Sequence, residues 1–231
     1  MMGAPMAGAR VALYWAPEAE DPLHALGSAW LGRDAETGAP LPQPTLPGLD
    51  LAEITAEARG YGLHCTLKAP FRLAVSWAEL REAAAALAAR QVPFDLPPLA
   101  VRDLGGFLAL RETAPCPPLR GLADACLREL EPCRAPLTEA DWARRRRNGL
   151  SPEAEALIAR WGYHLVLDRW VFHVTLTRRL SAEERALVQP AAEAHLARAL
   201  ARPRRVGSIC LFTQAGPGAP FLLAERLPLG G

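Results

Sequence analysis

The sequence predicts an α+β fold of two lobes, made of two β-α-β-β units related by a pseudo-twofold axis, with antiparallel sheets facing a central cleft. Three observations predict it. "LHCTL" at 63–67 and "FHVTL" at 172–176 share the pattern His-x-Thr-Leu on runs that alternate in polarity. Each run is followed by a helix opened by Ser-x-x-Glu, at Ser76/Glu79 and Ser181/Glu184. Each helix is followed by two strand-like runs around a Gly-containing turn. One supersecondary unit therefore occurs twice, over about 61–112 and about 168–229. A helical insert of about 116–162 separates the copies within a single bilobal domain spanning 1–231.

In chain order, "RVALYWAP" (10–17) reads as a strand that stops at Pro17. Asp21 and Pro22 read as the N-cap and first residue of the next helix. Residues 34–50 are rich in Pro and Gly and read as a loop. On the first motif strand, Leu63, Cys65 and Leu67 share the core face, and His64, Thr66 and Lys68 the other. The helix 76–91 follows, then 94–112 as two strands turning at Gly105-Gly106. The insert holds helices at 118–130, 138–149 and 151–162. The second motif strand puts Phe172, Val174 and Leu176 on one face and His173, Thr175 and Thr177 on the other. Helix 181–200 carries Pro190, a kink signal. Two strands around the turn 215–220 close the chain.

The composition narrows the function. Of 231 residues, 50% are hydrophobic and the net charge is +1, so a long phosphate-tracking surface is disfavoured and nucleic acid is not the favoured partner. The five cysteines form no Cys-x-x-Cys pair, which predicts a reducing compartment without disulfides or structural zinc. No apolar run has the length of a membrane span, and the N-terminus shows no signal-peptide pattern; the expectation is a cytoplasmic protein that needs no membrane. Oligomeric state is not encoded legibly. Lys68 is the only lysine among 26 basic residues, which singles out its position for a compact ammonium.

The repeat carries the chemistry. On a strand, His and Thr at i and i+2 share one side about 7 Å apart. Two facing lobes bring His64 and His173 to opposite sides of one cleft. One imidazole then takes a proton from an attacking water while the other gives a proton to a leaving oxygen. Thr66 and Thr175 offer hydroxyls to a tetrahedral anion between them. In-line displacement at phosphorus needs a base and an acid on opposite sides, and this arrangement supplies both without a metal or cofactor. Lys68 adds a point charge near the phosphate on this reading. Tyr61 and Tyr163 precede the two motif strands and, with Thr177, are candidate substrate contacts. The Arg144–Arg147 run reads as a solvated helix face or a steering patch at the cleft mouth. His24, His164 and His195 read as surface or capping residues, with His164 a candidate for the border of the site. Cys65, facing the core, reads as a buried thiol rather than a nucleophile.

These paired motifs resemble the 2H phosphoesterase superfamily, which includes RNA 2′,3′-cyclic phosphodiesterases and 2′-5′ RNA ligases. The segments "AWLGRDAETG", "YGLHCTLKAPFRL", "GLSPEAEALIARWGY", "FHVTLTRRL" and "CLFTQ" are similar to one branch, uncharacterised proteins associated with phosphonate-utilisation operons. The resemblance implies catalytic roles for His64 and His173 and phosphate binding by Thr66 and Thr175. It departs from the branch at Leu63 and Cys65, where Phe and Ala are more usual, both on the core-facing side. The expected function is a metal-independent phosphodiesterase for a small cyclic phosphate or similar diester, with a place in phosphonate metabolism implied by the resemblance alone. Two rivals stay open: a phosphorylated-metabolite-binding or regulatory protein without turnover, and an RNA 2′,3′-cyclic phosphate-processing or 2′-5′ ligase-like enzyme.

Overall fold

The computed structural model describes residues 9–146 and 149–231. Residues 1–8, where the signal-peptide reading falls, and Arg147 and the Arg144 side chain from the arginine run lie outside that description. The first half runs β1 (Arg10–Trp15), α1 (Pro22–Leu31), α2 (Leu51–Ile54), α3 (Ala56–Tyr61), β2 (Cys65–Arg72), α4 (Trp77–Ala89), β3 (Phe94–Leu96), β4 (Leu99–Asp103) and β5 (Phe107–Glu112). The insert contributes α5 (Pro117–Glu129), α6 (Glu139–Arg146) and α7 (Pro152–Trp161). The second half runs β6 (Val174–Arg179), α8 (Ala182–Leu200), β7 (Arg204–Val206), β8 (Ser208–Gln214) and β9 (Phe221–Pro228).

Both capping boxes form. Ser76 accepts from Glu79 N and Ser181 from Glu184 N, while each Glu side chain accepts from its cap residue's N–H. Two short helices, α2 and α3, bury Leu51, Ile54 and Ala58 and join the loop after α1 to the first motif strand. The run read as one strand over 94–103 is two, because Pro97-Pro98 cannot donate to a ladder. Gly207 makes the matching break between β7 and β8. Both units are therefore β-α-β with a hairpin appended, and the β4–β5 turn is closed by Gly105 and Gly106 at positive φ.

The sheets are antiparallel, and the two units exchange their parts. One sheet has the order β2-β1-β8-β9, so the first motif strand shares a sheet with the second unit's hairpin. The other has the order β4-β5-β6, so the second motif strand pairs with the first unit's hairpin. The helices follow: α4 packs on β9 and α8 on β4. The chain crosses between lobes at the two-stranded β3–β7 ribbon. One contiguous core runs through both lobes, from Leu13, Trp15 and Leu67 to Leu110, Phe172 and Leu176. A smaller aromatic cluster of Tyr14, Phe212 and Phe221, with Tyr61 against it, covers the other face of the four-stranded sheet.

β2 and β6 are edge strands of their sheets, and edge carbonyls need partners. Two indoles supply them from the facing half. Trp170 Nε1 donates to Thr66 O at 2.8 Å and Trp30 Nε1 donates to Leu176 O at 3.1 Å. The first ties the segment before β6 to β2, and the second ties α1 to β6.

Candidate active site

His64 and His173 stand immediately before β2 and β6. In both, Nδ1 lies against the carbonyl two residues earlier: Gly62 O at 2.9 Å and Val171 O at 2.8 Å. A carbonyl only accepts, so Nδ1 carries the proton and Nε2 of the neutral ring keeps its lone pair. The local geometry explains the first bond. Gly62 has φ +79°, and a Cβ there would lie 2.5 Å from Ala35 Cβ, so only glycine brings this carbonyl under His64. Thr66 Oγ1 lies 3.3 Å from His64 Nε2. The Tyr14 ring stacks on the His64 imidazole at 3.8 Å between centroids, and Phe107 meets His173 edge-on at 6.2 Å.

A cleft of about 600 Å³ holds both histidines, Thr66 and Thr175 in its wall. Tyr61, Tyr163, Thr177 and His164 line it too. Thr177 is almost fully buried, and its Oγ1 accepts from Leu108 N at 2.9 Å, closing the irregular β5–β6 ladder. Four lining residues are cationic (Arg10, Arg145, Arg178 and Arg179) and one, Glu57, is acidic. Arg178 is already held by Glu184 and Glu53. Of the arginine run, Arg145 reaches the cleft, whereas Arg146 pairs with Glu155 and lies over Trp142.

Lys68 is not in the cleft. β1 pairs Tyr14 with Thr66 but Leu13 with Lys68, so Leu67 is an extra residue in a β-bulge. The bulge interrupts the period-two alternation and turns Lys68 to the core face, where its Nζ donates to Glu131 Oε2 at 2.7 Å and Leu127 O at 3.0 Å. The expectation that it binds phosphate is corrected accordingly. Cys65 faces the core with its thiol pushed up to about 12 by burial, which makes it no nucleophile at neutral pH. His24 forms a group with Asp34 and Glu36 outside the cleft, where Arg226 also pairs with Glu36. His195 Nε2 lies 2.9 Å from Leu26 O, inside α1 rather than at a helix end.

Tyr14 and Arg10 are among the wall residues that the motifs do not point to. Tyr14 sits in the apolar-looking "VALYW", and its place opposite Thr66 depends on sheet register. Arg10 opens the same strand in the wall of the cleft, and its register opposite Gln214 of β8 lets its Nε donate to Gln214 Oε1 at 2.7 Å.

Burial pushes the His64 imidazolium down to about 4; the Gly62 carbonyl opposes this and the nearby His173 adds to it. Burial also lowers His173, again against a carbonyl, that of Val171. Both rings are therefore neutral at pH 7, and an anion between them would favour protonating one. The unfolded chain takes up this proton near pH 6.5 and the folded chain only near 4. His64 thus contributes stability that is complete above about 6.5 and is lost as pH falls toward 4, about 3 kcal/mol at most. An NMR titration in phosphate-free buffer is expected to place the His64 midpoint below about 5 and to move it upward on adding phosphate. A midpoint at 6.5 that phosphate leaves in place would contradict this electrostatic picture.

Among the described residues, no helix is long and apolar enough to cross a membrane. The family model described as "Protein of unknown function (DUF1045)" matches residues 66–222. Ribose 1,5-bisphosphate phosphokinase PhnN of Janthinobacterium sp. (strain Marseille) is 40% identical over 96% of this chain and 51% of its own length. The protein of the same name from Laribacter hongkongensis (strain HLHK9) is 37% identical over 94% of this chain and 51% of its own. The chain thus spans about half the length of these curated relatives. Among solved structures, E. coli LigT in apo form is similar at 16% identity and TM-score 0.45, covering 99% of this chain and 100% of that one. LigT complexed with 3′-AMP is similar at 15% identity and TM-score 0.43, covering 96% and 99%. With most of its length matched by the family model, the chain belongs to the DUF1045 family, described as proteins of unknown function.

Proposed function

We propose that the chain is a metal-independent phosphodiesterase of the 2H type that opens a small cyclic phosphate. The observation that supports it most is the pair of imidazoles in one cleft, each held through Nδ1 by the carbonyl two residues back, each followed by a threonine on the same wall. In the reaction, one Nε2 takes a proton from water as its oxygen bonds to phosphorus. The second ring, protonated, gives its proton to the ring oxygen as the P–O bond breaks. The hydroxyls of Thr66 and Thr175 donate to the non-bridging oxygens, where charge accumulates. The product is a phosphomonoester beside a free hydroxyl.

The substrate class we favour is a cyclic phosphate on a phosphorylated pentose. The relatives that contain this region are named for a kinase acting on ribose 1,5-bisphosphate. That compound carries a 1-phosphate beside a free 2-hydroxyl, which is what hydrolysis of a 1,2-cyclic phosphate on ribose 5-phosphate leaves. This fits the branch resemblance to phosphonate-operon proteins. The test is ³¹P NMR of the full chain with a panel of cyclic nucleotides and the ribosyl 1,2-cyclic phosphate, with and without EDTA. The expected result is one monoester product at a rate that chelation leaves unchanged. Binding without product across the panel, or turnover lost on chelation, would sink the proposal.

A further inference from the structure

We propose that the cleft contains a second anion subsite, formed by Arg10, Arg145, Tyr61 and Tyr163, which takes a phosphate carried elsewhere on the substrate and so selects doubly phosphorylated compounds. This rests on the reading of the cleft given above. All three tyrosines of the chain line this one cleft, although they come from β1, the end of α3 and the segment after α7. Arg10 and Arg145 line both the cleft and a small crevice that continues past Ala69 and Pro70, which places them together beyond Thr66.

Each guanidinium is oriented by the fold. Arg10 is held through Nε by Gln214 and lies 5.5 Å from the centre of the Phe221 ring, on which Tyr61 stacks at 5.3 Å. Among the described residues, Arg10 has no carboxylate partner, and its Nη groups make a fork suited to a phosphate. Arg145 donates to Gly162 O at 2.7 Å, next to Tyr163. Tyr14, stacked on His64, also lines this cleft, and its phenol oxygen is buried with no hydrogen-bond partner among the described residues. A buried hydroxyl without a partner points to a ligand group that answers it. From Thr66 to Ala69 is three strand residues, up to about 10 Å. On this proposal the histidine pair and the arginines take two phosphates carried on one sugar.

Calorimetric binding of ribose 1,5-bisphosphate, ribose 5-phosphate and inorganic phosphate to the full chain tests this without requiring turnover. The wild type is expected to bind the bisphosphate about tenfold to a hundredfold more tightly than the monophosphate. Arg10→Met is expected to abolish that preference and leave inorganic phosphate binding at the histidine pair unchanged. Arg10→Lys and Tyr163→Phe, checked by thermal melting, serve if Arg10→Met does not fold, and each is expected to reduce the preference. Equal affinities in the wild type, or a preference that survives the folded Arg10 variants, would overturn the subsite. Inorganic phosphate binding that is indifferent to Thr66→Val and Thr175→Val would count instead against the histidine-threonine cradle, so the two failures are distinguishable.

Discussion

Alanine at His64 or at His173 is expected to lower kcat on a cyclic phosphate by about 10²–10⁴-fold, with KM little changed. Each ring is one half of a proton exchange, so the loss comes in the transition state rather than in binding. The double variant is expected to cost little more than the worse single one, because base and acid act as a unit. Thr66→Val and Thr175→Val should show smaller losses, since each removes one donor to a phosphate oxygen. The fold should survive, because neither ring carries a sheet ladder. The Tyr14 stack on His64 makes His64→Gln a useful second variant, filling more of the space that alanine leaves. Wild-type turnover in either single alanine variant would exclude that histidine from the chemistry.

The largest expected loss of stability lies on the opposite face of the same strand. The Lys68 side chain is 1% exposed, and its ammonium is held by Glu131 and Leu127 O. Burial lowers the Lys68 pKa, and Glu131 works against that shift. Glu131 also accepts from Arg134 Nη2 at 2.6 Å and Nε at 2.9 Å. Glu131→Leu leaves the lysine charge buried and unpaired, at an expected cost of about 3–5 kcal/mol. For a chain of this size that is a fall in Tm of about 10 °C. Lys68→Met removes the charge instead and leaves Glu131 paired with Arg134, so it should cost about 1 kcal/mol or less. Turnover should persist in both variants. A Lys68→Met protein with an unchanged Tm and no activity would return this lysine to the chemistry and contradict its placement.

These two predictions also mark where the sequence was legible. The His-x-Thr pairs could be read because alternation holds over three residues without reference to any partner strand. The capping boxes could be read for the same reason, as local hydrogen-bond patterns over four residues. Lys68 was misplaced because alternation was carried two residues too far, through a bulge created by pairing with β1. Tyr14 and Arg10 were missed because β1, distant in sequence from the second hairpin, lies between β2 and β8. The duplication was visible, but the exchange of hairpins between lobes was not. It depends on which sheet α4 and α8 cover, a matter of long-range packing. The indoles of Trp30 and Trp170, which donate to carbonyls of the two motif strands, share that origin.

The most direct test of the central claim is a crystal structure of the full chain soaked with phosphate or with vanadate, a mimic of the pentacoordinate phosphorus. The expected result is one anion within hydrogen-bond distance of His64 Nε2, His173 Nε2 and the hydroxyls of Thr66 and Thr175, with both Nδ1 atoms still on the carbonyls of Gly62 and Val171. An anion bound elsewhere, or one reached by a single histidine only, would contradict the paired acid and base on which the account depends.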